Sequence, residues 1–493
     1  MRRELLVNAT PPETRVALTE DGGTVEVLHE RRGRQGLVGN VYLGRVHRVL
    51  PGMHAAFVAI GLDRDAFLYV QDVLPRTVEA YGEEREEARV AAALTDARIE
   101  DLLREGQDVV VQVTKDPLAG KGPRVTANLA LPGRTLVALP GADGIGVSRR
   151  ITDEAERERL RRILEGFGPG SGWIARTAAW GADVSEFQSD RRYLENLSAE
   201  IRRKAGNANA PALLRRELDL ALRSVRDLVT PDFAAIRVDD PETRDRIAEF
   251  LSAVEPQLVP RVGLYEEPEP LFERFGIETE LENALKNRVP LRSGGSVVIH
   301  QTEALVAIDV NTGKFVGSDA LEDTVFETNL EAVAEVARQI RLRDLGGILV
   351  VDFIDMEDPE HRREVFESFE AELAKDRART RLLQISEFGL VEITRQRTRG
   401  NLEKTLTEAC PCCGGTGRVK TDLSVALDLR RTLLAAANLY APGETVRIRV
   451  RSSLAHLLAE EEPDLLPEIE TRLNVKLQLI PDETLPPAEY EIL

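Results

Sequence analysis

The amino-acid sequence predicts a multidomain protein that combines α/β and α+β parts. Three observations lead there. At 493 residues, with 42% hydrophobic and 30% charged side chains, the chain is too long for one ordinary core and too apolar to be disordered, which suggests about three domains. Its N-terminal part reads as short strands punctuated by glycine, proline and aspartate. Between Ser296 and Leu390 it reads as strand, crossover helix and strand, the unit of an α/β core.

Residues 1–38 give a small β region: LLVNA, TRVALTE and TVEVLHE, with Asp21-Gly22-Gly23 as the hairpin turn. The following stretch to QDV is a set of strands expected to break at Gly44, Pro51-Gly52, Gly61 and Asp63. An acidic helical insert is expected from Glu83 to Asp101, and QDVVVQVTK closes the set. Five short strands with glycine-rich turns suggest a small barrel of the oligonucleotide-binding kind. A second mixed segment runs from about Ala127 to Trp180, and a long polar helix is expected from Glu186 to Leu228, interrupted at Gly206-Asn207-Ala208-Asn209. Strand and helix signals alternate from Ile236 to Leu285, with Pro256, Pro260, Pro268 and Pro270 as breakers. SVVIHQTEALVAIDV then reads as a hairpin. A helix is expected from about Thr328 to Arg343, with Leu330, Val333, Ala334, Ala337 and Ile340 at helical spacing and Gly346-Gly347 as its end. ILVVDFIDM is the run expected of a strand buried on both faces.

Charge and targeting signals narrow the classes of function. A net charge of −19 argues against a uniformly basic nucleic-acid binder, so any phosphate contact must use local basic patches or bound cations. The N-terminus lacks the apolar core of a signal peptide and no apolar run approaches a membrane span, so a cytoplasmic protein is expected. The six histidines form no motif, and no phosphate-binding loop of the G-x-x-x-x-G-K-[ST] type occurs.

Asp309 ends the strand LVAIDV and Asp352 follows ILVV. Carboxylates on apolar strands are costly unless paired or bound to a metal, and two of them at one sheet edge suit a hard cation such as Mg²⁺. Asn311 shares that face if the strand continues. The bland alternative has Asp309 capping a turn and Asp352 paired with Arg341 or Arg343. All three cysteines fall in Cys410-Pro411-Cys412-Cys413, where Cys410 and Cys413 have the spacing of half a zinc site. Two chains giving two thiolates each would complete it; a redox pair or an unmetallated loop is the alternative. In the barrel, Phe57 and Phe67 with Lys121 beyond could stack bases, or the two rings could simply be core.

NTGKF after AIDV, RLRDLGGILVVDFIDM, the C-P-x-C cluster and ELLVNATPPETRVAL together resemble the ribonuclease E/G family, from the first residues to the last. NVYLGRV, RVLPGM and GKFVG, with no long disordered extension, favour its ribonuclease G branch over its ribonuclease E branch. The resemblance implies an RNase H-like fold from residues 1–38 and 221–285, and an S1-type OB domain over 39–126. A 5′-sensor region covers 127–220, a DNase I-like catalytic α/β domain 286–406, a zinc-link 407–418 and a small C-terminal α/β domain 419–493.

It further implies that Asp309 and Asp352 bind magnesium with Asn311 in support, and that Cys410 and Cys413 hold a zinc ion shared in a homodimer, with a tetramer left open. Phe57 and Phe67 match its RNA-stacking aromatics and Lys121 its basic RNA contact. Arg176, Thr177 and Arg379 match its 5′-monophosphate pocket, with backbone contributions at Gly133 and Val137. Cys412 and Pro123 depart from the family pattern without removing a matched position. The activity implied is Mg²⁺-dependent cutting of single-stranded RNA to 5′-phosphate and 3′-hydroxyl ends, favouring 5′-monophosphorylated substrates, in rRNA maturation and mRNA decay.

Overall fold

The computed structural model describes residues 2–33, 36–74, 78, 97–117, 121–168, 171–312, 321–383, 390–397 and 401–493. The chain divides into two compact units, Met1–Asn401 and Leu402–Leu493.

In the first unit, strands β1 (Arg3–Ala9), β2 (Glu13–Glu20) and β3 (Gly23–Arg31) form an antiparallel meander. Its expected turn is tight: Asp21 and Gly22 take φ of 49° and 85°, the left-handed pair that suits a two-residue hairpin.

Next come β4 (Val41–Leu50), β5 (Ala55–Ala59), β6 (Ala66–Tyr69), β7 (Asp108–Lys115) and β8 (Arg124–Thr126). They pair β4-β5-β6-β8-β7, and β7 returns to β4, so the sheet closes as an OB-like barrel. Val46, Ala56, Val58, Ala66, Leu68, Val111, Val113 and Val125 fill it. Gly44, expected as a break, lies inside β4. A Cβ there would come within 2.5 Å of Val58 Cγ1, so glycine serves close packing across the small barrel. Of the expected acidic helix, residues 83–96 lie outside the described residues; Ile99–Leu102 forms a helical turn with Ile99 buried against the barrel.

A further sheet is built from β9 (Leu131–Pro132), β10 (Leu136–Pro140), β11 (Ile145–Val147) and, after helix α1 (Glu154–Glu165), β12 (Ser171–Ala175), in the order β11-β12-β10-β9. Helix α2 (Val184–Asn207) starts at a capping box of Asp183 and Glu186. The long helix expected to Leu228 does not continue. Pro211 cannot donate to a helical ladder, and β13 (Ala212–Arg215) runs extended along β4. Helix α3 (Leu220–Leu228) then leads to β14 (Phe233–Val238), helix α4 (Pro241–Val254) and β15 (Val262–Leu264). Strand β14 pairs parallel to β1, giving the order β15-β14-β1-β2-β3, so two distant chain segments share one sheet and one core.

Helix α5 (Ile277–Ala284) precedes the sheet that carries the aspartates. Its strands are β16 (Arg288–Pro290), β17 (Ser296–Gln301), β18 (Leu305–Asn311), β19 (Gly347–Asp352), β20 (Thr380–Leu382) and β21 (Leu390–Arg395), ordered β16-β17-β18-β19-β21-β20. The β18–β19 crossover holds α6 (Leu321–Leu342), which starts about two turns earlier than the spacing suggested, and α7 (Pro359–Leu373) follows β19.

One expectation fails here. The strands are buried on one face only: Val306, Ile308, Val310, Leu349 and Val351 face the core, while Leu305, Ala307, Asp309, Ile348 and Asp352 are exposed. Ile348 is 52% exposed, so the apolar run ILVV overstated the burial.

The second unit packs α8 (Asp422–Ala435) and α9 (Leu465–Leu473) on a sheet of β22 (Thr445–Val450), β23 (Lys476–Pro481) and β24 (Glu491–Ile492), ordered β23-β22-β24. Among the described residues no helix is long and apolar enough to cross a membrane.

Candidate functional site: a carboxylate pair, an aromatic platform and an arginine pocket

Strands β18 and β19 run parallel with Asp309 in register with Asp352. Backbones of paired strands lie about 4.8 Å apart, so the two carboxylates rise side by side from the open face of the sheet. Asn311 follows on the same side and its Nδ2 donates to Asp309 Oδ2 at 2.7 Å. Partial burial, then the negative charges of Asp309 and Asp355, raise the Asp352 carboxyl above its usual range, and among the described residues no cation opposes them. The arginine alternative fails on geometry. Arg341 binds Glu20, and Arg343 donates to Gln339 and to the Lys286 carbonyl. Since both aspartates are exposed, their case rests on adjacency rather than on burial.

Like charges this close repel by about 1 kcal/mol even in water-like surroundings, and a hard cation between them reverses the sign. Among the described residues no three His, Cys, Asp or Glu side chains group as a metal cage. Asn329 of α6 was not visible as functional in the sequence. Fully buried, it donates to the Ile354 carbonyl at 2.8 Å and accepts from the Ile354 N–H at 3.1 Å, clamping the chain just after Asp352.

On the barrel, Phe57 and Phe67 are direct cross-strand partners with centroids 5.6 Å apart, edge to face. Their neighbours Ala56, Val58, Ala66 and Leu68 point inward, so the half-buried rings lie on the outer surface and the core alternative is overturned. Lys121 is exposed. Gly122 beside it has no room for a side chain against the Asp65 carbonyl, and the Phe67 N–H donates to the Pro123 carbonyl at 2.8 Å. The loop carrying Lys121 therefore sits beside Phe67, and Pro123 uses the one backbone group proline keeps.

Of the residues matched to a 5′-phosphate pocket, Gly133 and Arg176 meet at one turn. Asp190 on α2, 1% exposed, accepts from the N–H groups of Arg134, Thr135 and Leu136 at 3.1, 2.8 and 2.9 Å and from the Thr135 hydroxyl at 3.1 Å. A Cβ on Gly133 would collide with that carboxylate, so the position must be glycine. The Gly133 N–H is committed to the Leu136 carbonyl at 2.8 Å, and its own carbonyl accepts from Arg176 Nη1. Arg176 Nη2 reaches Asp227 at 2.8 Å. Burial opposes the charge on Asp227, but the hydrogen bonds and charges of Arg226 and Arg176 prevail and hold its carboxyl down at about 2.

Thr177 Oγ1 shares a hydrogen bond with Ser148 Oγ at 3.1 Å, and Val137 sits in β10 between Pro132 and Ile174. Arg379 is exposed on the segment leading into β20. Two residues before it, Arg377 touches the Asp227 backbone carbonyl oxygen at 3.5 Å, so the fold brings that segment to the residue whose carboxylate holds Arg176. Burial lowers the Arg150 guanidinium, on which the charges of Asp376 and Arg377 also act. Asp190 could have been noticed as an acid on the apolar stripe of Phe187, Leu194 and Ile201; nothing local singles out Asp227 or Arg150.

In the second unit, Cys410 and Cys413 lie in a glycine-rich loop in which Gly414, Gly415 and Gly417 take φ of 59°, 89° and 69°. The Gly417 N–H donates to Cys413 Sγ at 3.3 Å, and donation from Gly417, then Gly415, lowers the Cys413 thiol. Backbone donors that favour a thiolate are what a zinc ligand needs. Cys412 is exposed, and among the described residues none of the three cysteines belongs to a group of three or more metal-ligating side chains.

Residues 130–398 match the model of the ribonuclease E/G family, and residues 409–493 match the model described as the RNase E/G thioredoxin-like domain. The chain is 43% identical to ribonuclease G of Escherichia coli K12 over 485 residues, 98% of each chain, and 39% identical to ribonuclease G of Haemophilus influenzae over 491 residues, 99% of each. Against ribonuclease E of Escherichia coli K12 identity is 34% over 501 residues, all of this chain but 46% of that one. This chain, with its paired strand aspartates, is a member of the ribonuclease E/G family.

Proposed function

We propose that the chain is an endoribonuclease that cuts single-stranded RNA with magnesium, favours 5′-monophosphorylated ends, and serves rRNA maturation and mRNA decay in the cytoplasm. The observation that carries this reading is the register of Asp309 with Asp352 on an open sheet face. A magnesium ion there would supply Lewis acidity and a more acidic water. Asp309 and Asp352 hold it, and Asn311 fixes the Asp309 carboxylate. Phe57 and Phe67 stack unpaired bases, and Lys121 offsets backbone charge. Water adds to phosphorus, the 3′-oxygen leaves and takes a proton, and the products carry a 5′-phosphate and a 3′-hydroxyl.

Arg176, Thr177 and Arg379 bind the terminal monophosphate, with the turn at Gly133 and strand residue Val137 shaping the pocket; a guanidinium fork and a hydroxyl suit that group. Residues 286–406 are read as a DNase I-like catalytic domain, and residues 1–38 with 221–285 as an RNase H-like one. The thiolates of Cys410 and Cys413 would share a zinc ion with the same pair of a second chain, making a homodimer. Cys410→Ser with Cys413→Ser should remove zinc, read by atomic absorption, and halve the mass in light scattering; one zinc per two chains in that variant would refute the clasp.

Cleavage of a fluorescent oligonucleotide is the direct test. Activity should require Mg²⁺, be faster with a 5′-monophosphate than with a 5′-hydroxyl, and vanish in Asp309→Asn with Asp352→Asn. Unchanged cleavage in that double variant would overturn the assignment.

A further inference from the structure

The aromatic row on the barrel does not end at Phe67. Tyr69 is two residues further along β6, on the same outer face, with its centroid 4.5 Å from Phe67 in an edge-to-face contact. It is 38% exposed. The Arg124 guanidinium lies 4.7 Å from the Tyr69 ring centroid, and Arg124 is itself paired in the strand ladder with Phe67. That guanidinium is not free to wander: Nη2 and Nε bind Oδ2 of Asp72, 4% exposed, at 2.9 and 3.2 Å, which fixes the cation over the ring.

We propose that Tyr69 with Arg124 forms a third base-stacking position on the single-stranded RNA path, continuous with Phe57 and Phe67. The inference rests on the reading of those two rings as an RNA platform. Three features support it together. Residues at i and i+2 of a strand lie about 6.6 Å apart, close to the phosphate spacing of an extended single strand. Exposed aromatic faces accept any base, whatever its identity. An arginine held flat beside a ring adds a second stacking plane and a charge for the adjoining phosphate. No core role explains an exposed tyrosine here, because Leu68 and Val70 on either side already supply the packing.

The test uses the full chain carrying Asp309→Asn and Asp352→Asn, with binding of a 5′-monophosphorylated oligonucleotide followed by fluorescence anisotropy while one abasic position is moved along the strand. Three neighbouring positions should be sensitive. Tyr69→Ala should weaken binding of the intact strand about tenfold and erase sensitivity at one of the three, whereas Tyr69→Phe, which keeps the ring, should behave as the parent. Phe67→Ala serves as the reference and should erase a different position. If Phe67→Ala weakens binding while Tyr69→Ala does not, the third position is refuted and the two-ring platform stands. If neither changes binding, the platform reading falls and the third position falls with it.

Discussion

Among the described residues, Asp309 and Asp352 stand side by side with no cation acting on Asp352, whereas the Arg176 guanidinium already has its partners. The guanidinium holds the Gly133 carbonyl and Asp227, Asp227 is gripped by Arg226 at 3.0 Å through both oxygens, and the turn beside them hangs on Asp190. On the proposed reading the two regions prepare for an ion in opposite ways. Uncompensated carboxylates would take a cation that arrives from solution. A pre-paired arginine gives up part of its charge in return for a fixed direction, so it discriminates by shape and hydrogen bonding more than by field strength.

The contrast can be broken most sharply at the carboxylates. Asp309→Asn or Asp352→Asn should lower cleavage by on the order of a thousandfold, while stability in urea holds or rises by up to about 1 kcal/mol as repulsion is relieved. A large loss of stability would make them structural and end the comparison. Arg176→Ala should come next: cleavage of 5′-monophosphorylated RNA falls roughly tenfold or more, to the rate of the 5′-hydroxyl strand, whose own rate is unmoved. Equal losses on both substrates would show Arg176 to be a scaffold residue. Asp190→Asn should remove the same preference and also cost about 1–3 kcal/mol, because the carboxylate that gathers three N–H groups is gone.

The smallest effect is in acid. The folded carboxyl of Asp227 lies at about 2, below its ordinary value, so its contribution to stability is complete above that ordinary value near 4 and is lost as pH falls through about 2. Asp227→Asn should flatten the urea midpoint over that interval, and an unchanged slope would contradict the pairing.

How much could be read from the chain differs in the same way. The carboxylate pair was legible because two strands and one crossover place their ends together in any right-handed β-α-β unit. Its surroundings were not: Leu305 and Ile348 are apolar without being covered, and residue type alone does not say whether a second layer exists. Phe57 and Phe67 were visible as a pair, but one step of register decides inside from outside. The arginine pocket was almost illegible, since Asp190, Asp227 and Arg377 come from separate elements and meet only in three dimensions. Strand β13 was missed for a similar reason: Ala-Leu-Leu-Arg suits a helix, and its partner lies some 170 residues earlier. Gly44 misled because a glycine that permits close approach looks the same in sequence as one that makes a turn.

Helix α6, which crosses over between the two aspartate strands, is bolted to the first hairpin. Arg341 takes both oxygens of Glu20 at 3.1 and 3.2 Å, and Arg338 binds the Thr24 carbonyl at 3.0 Å. On a ribosome these partners emerge 321 residues apart. At roughly 5–20 residues per second, Glu20 therefore waits on the order of 15 to 60 seconds for its arginine. The β1 edge of the meander stays open until β14 emerges, and the hairpin end lacks its α6 partner for longer still, so nascent chains should be most dependent on chaperones during that interval.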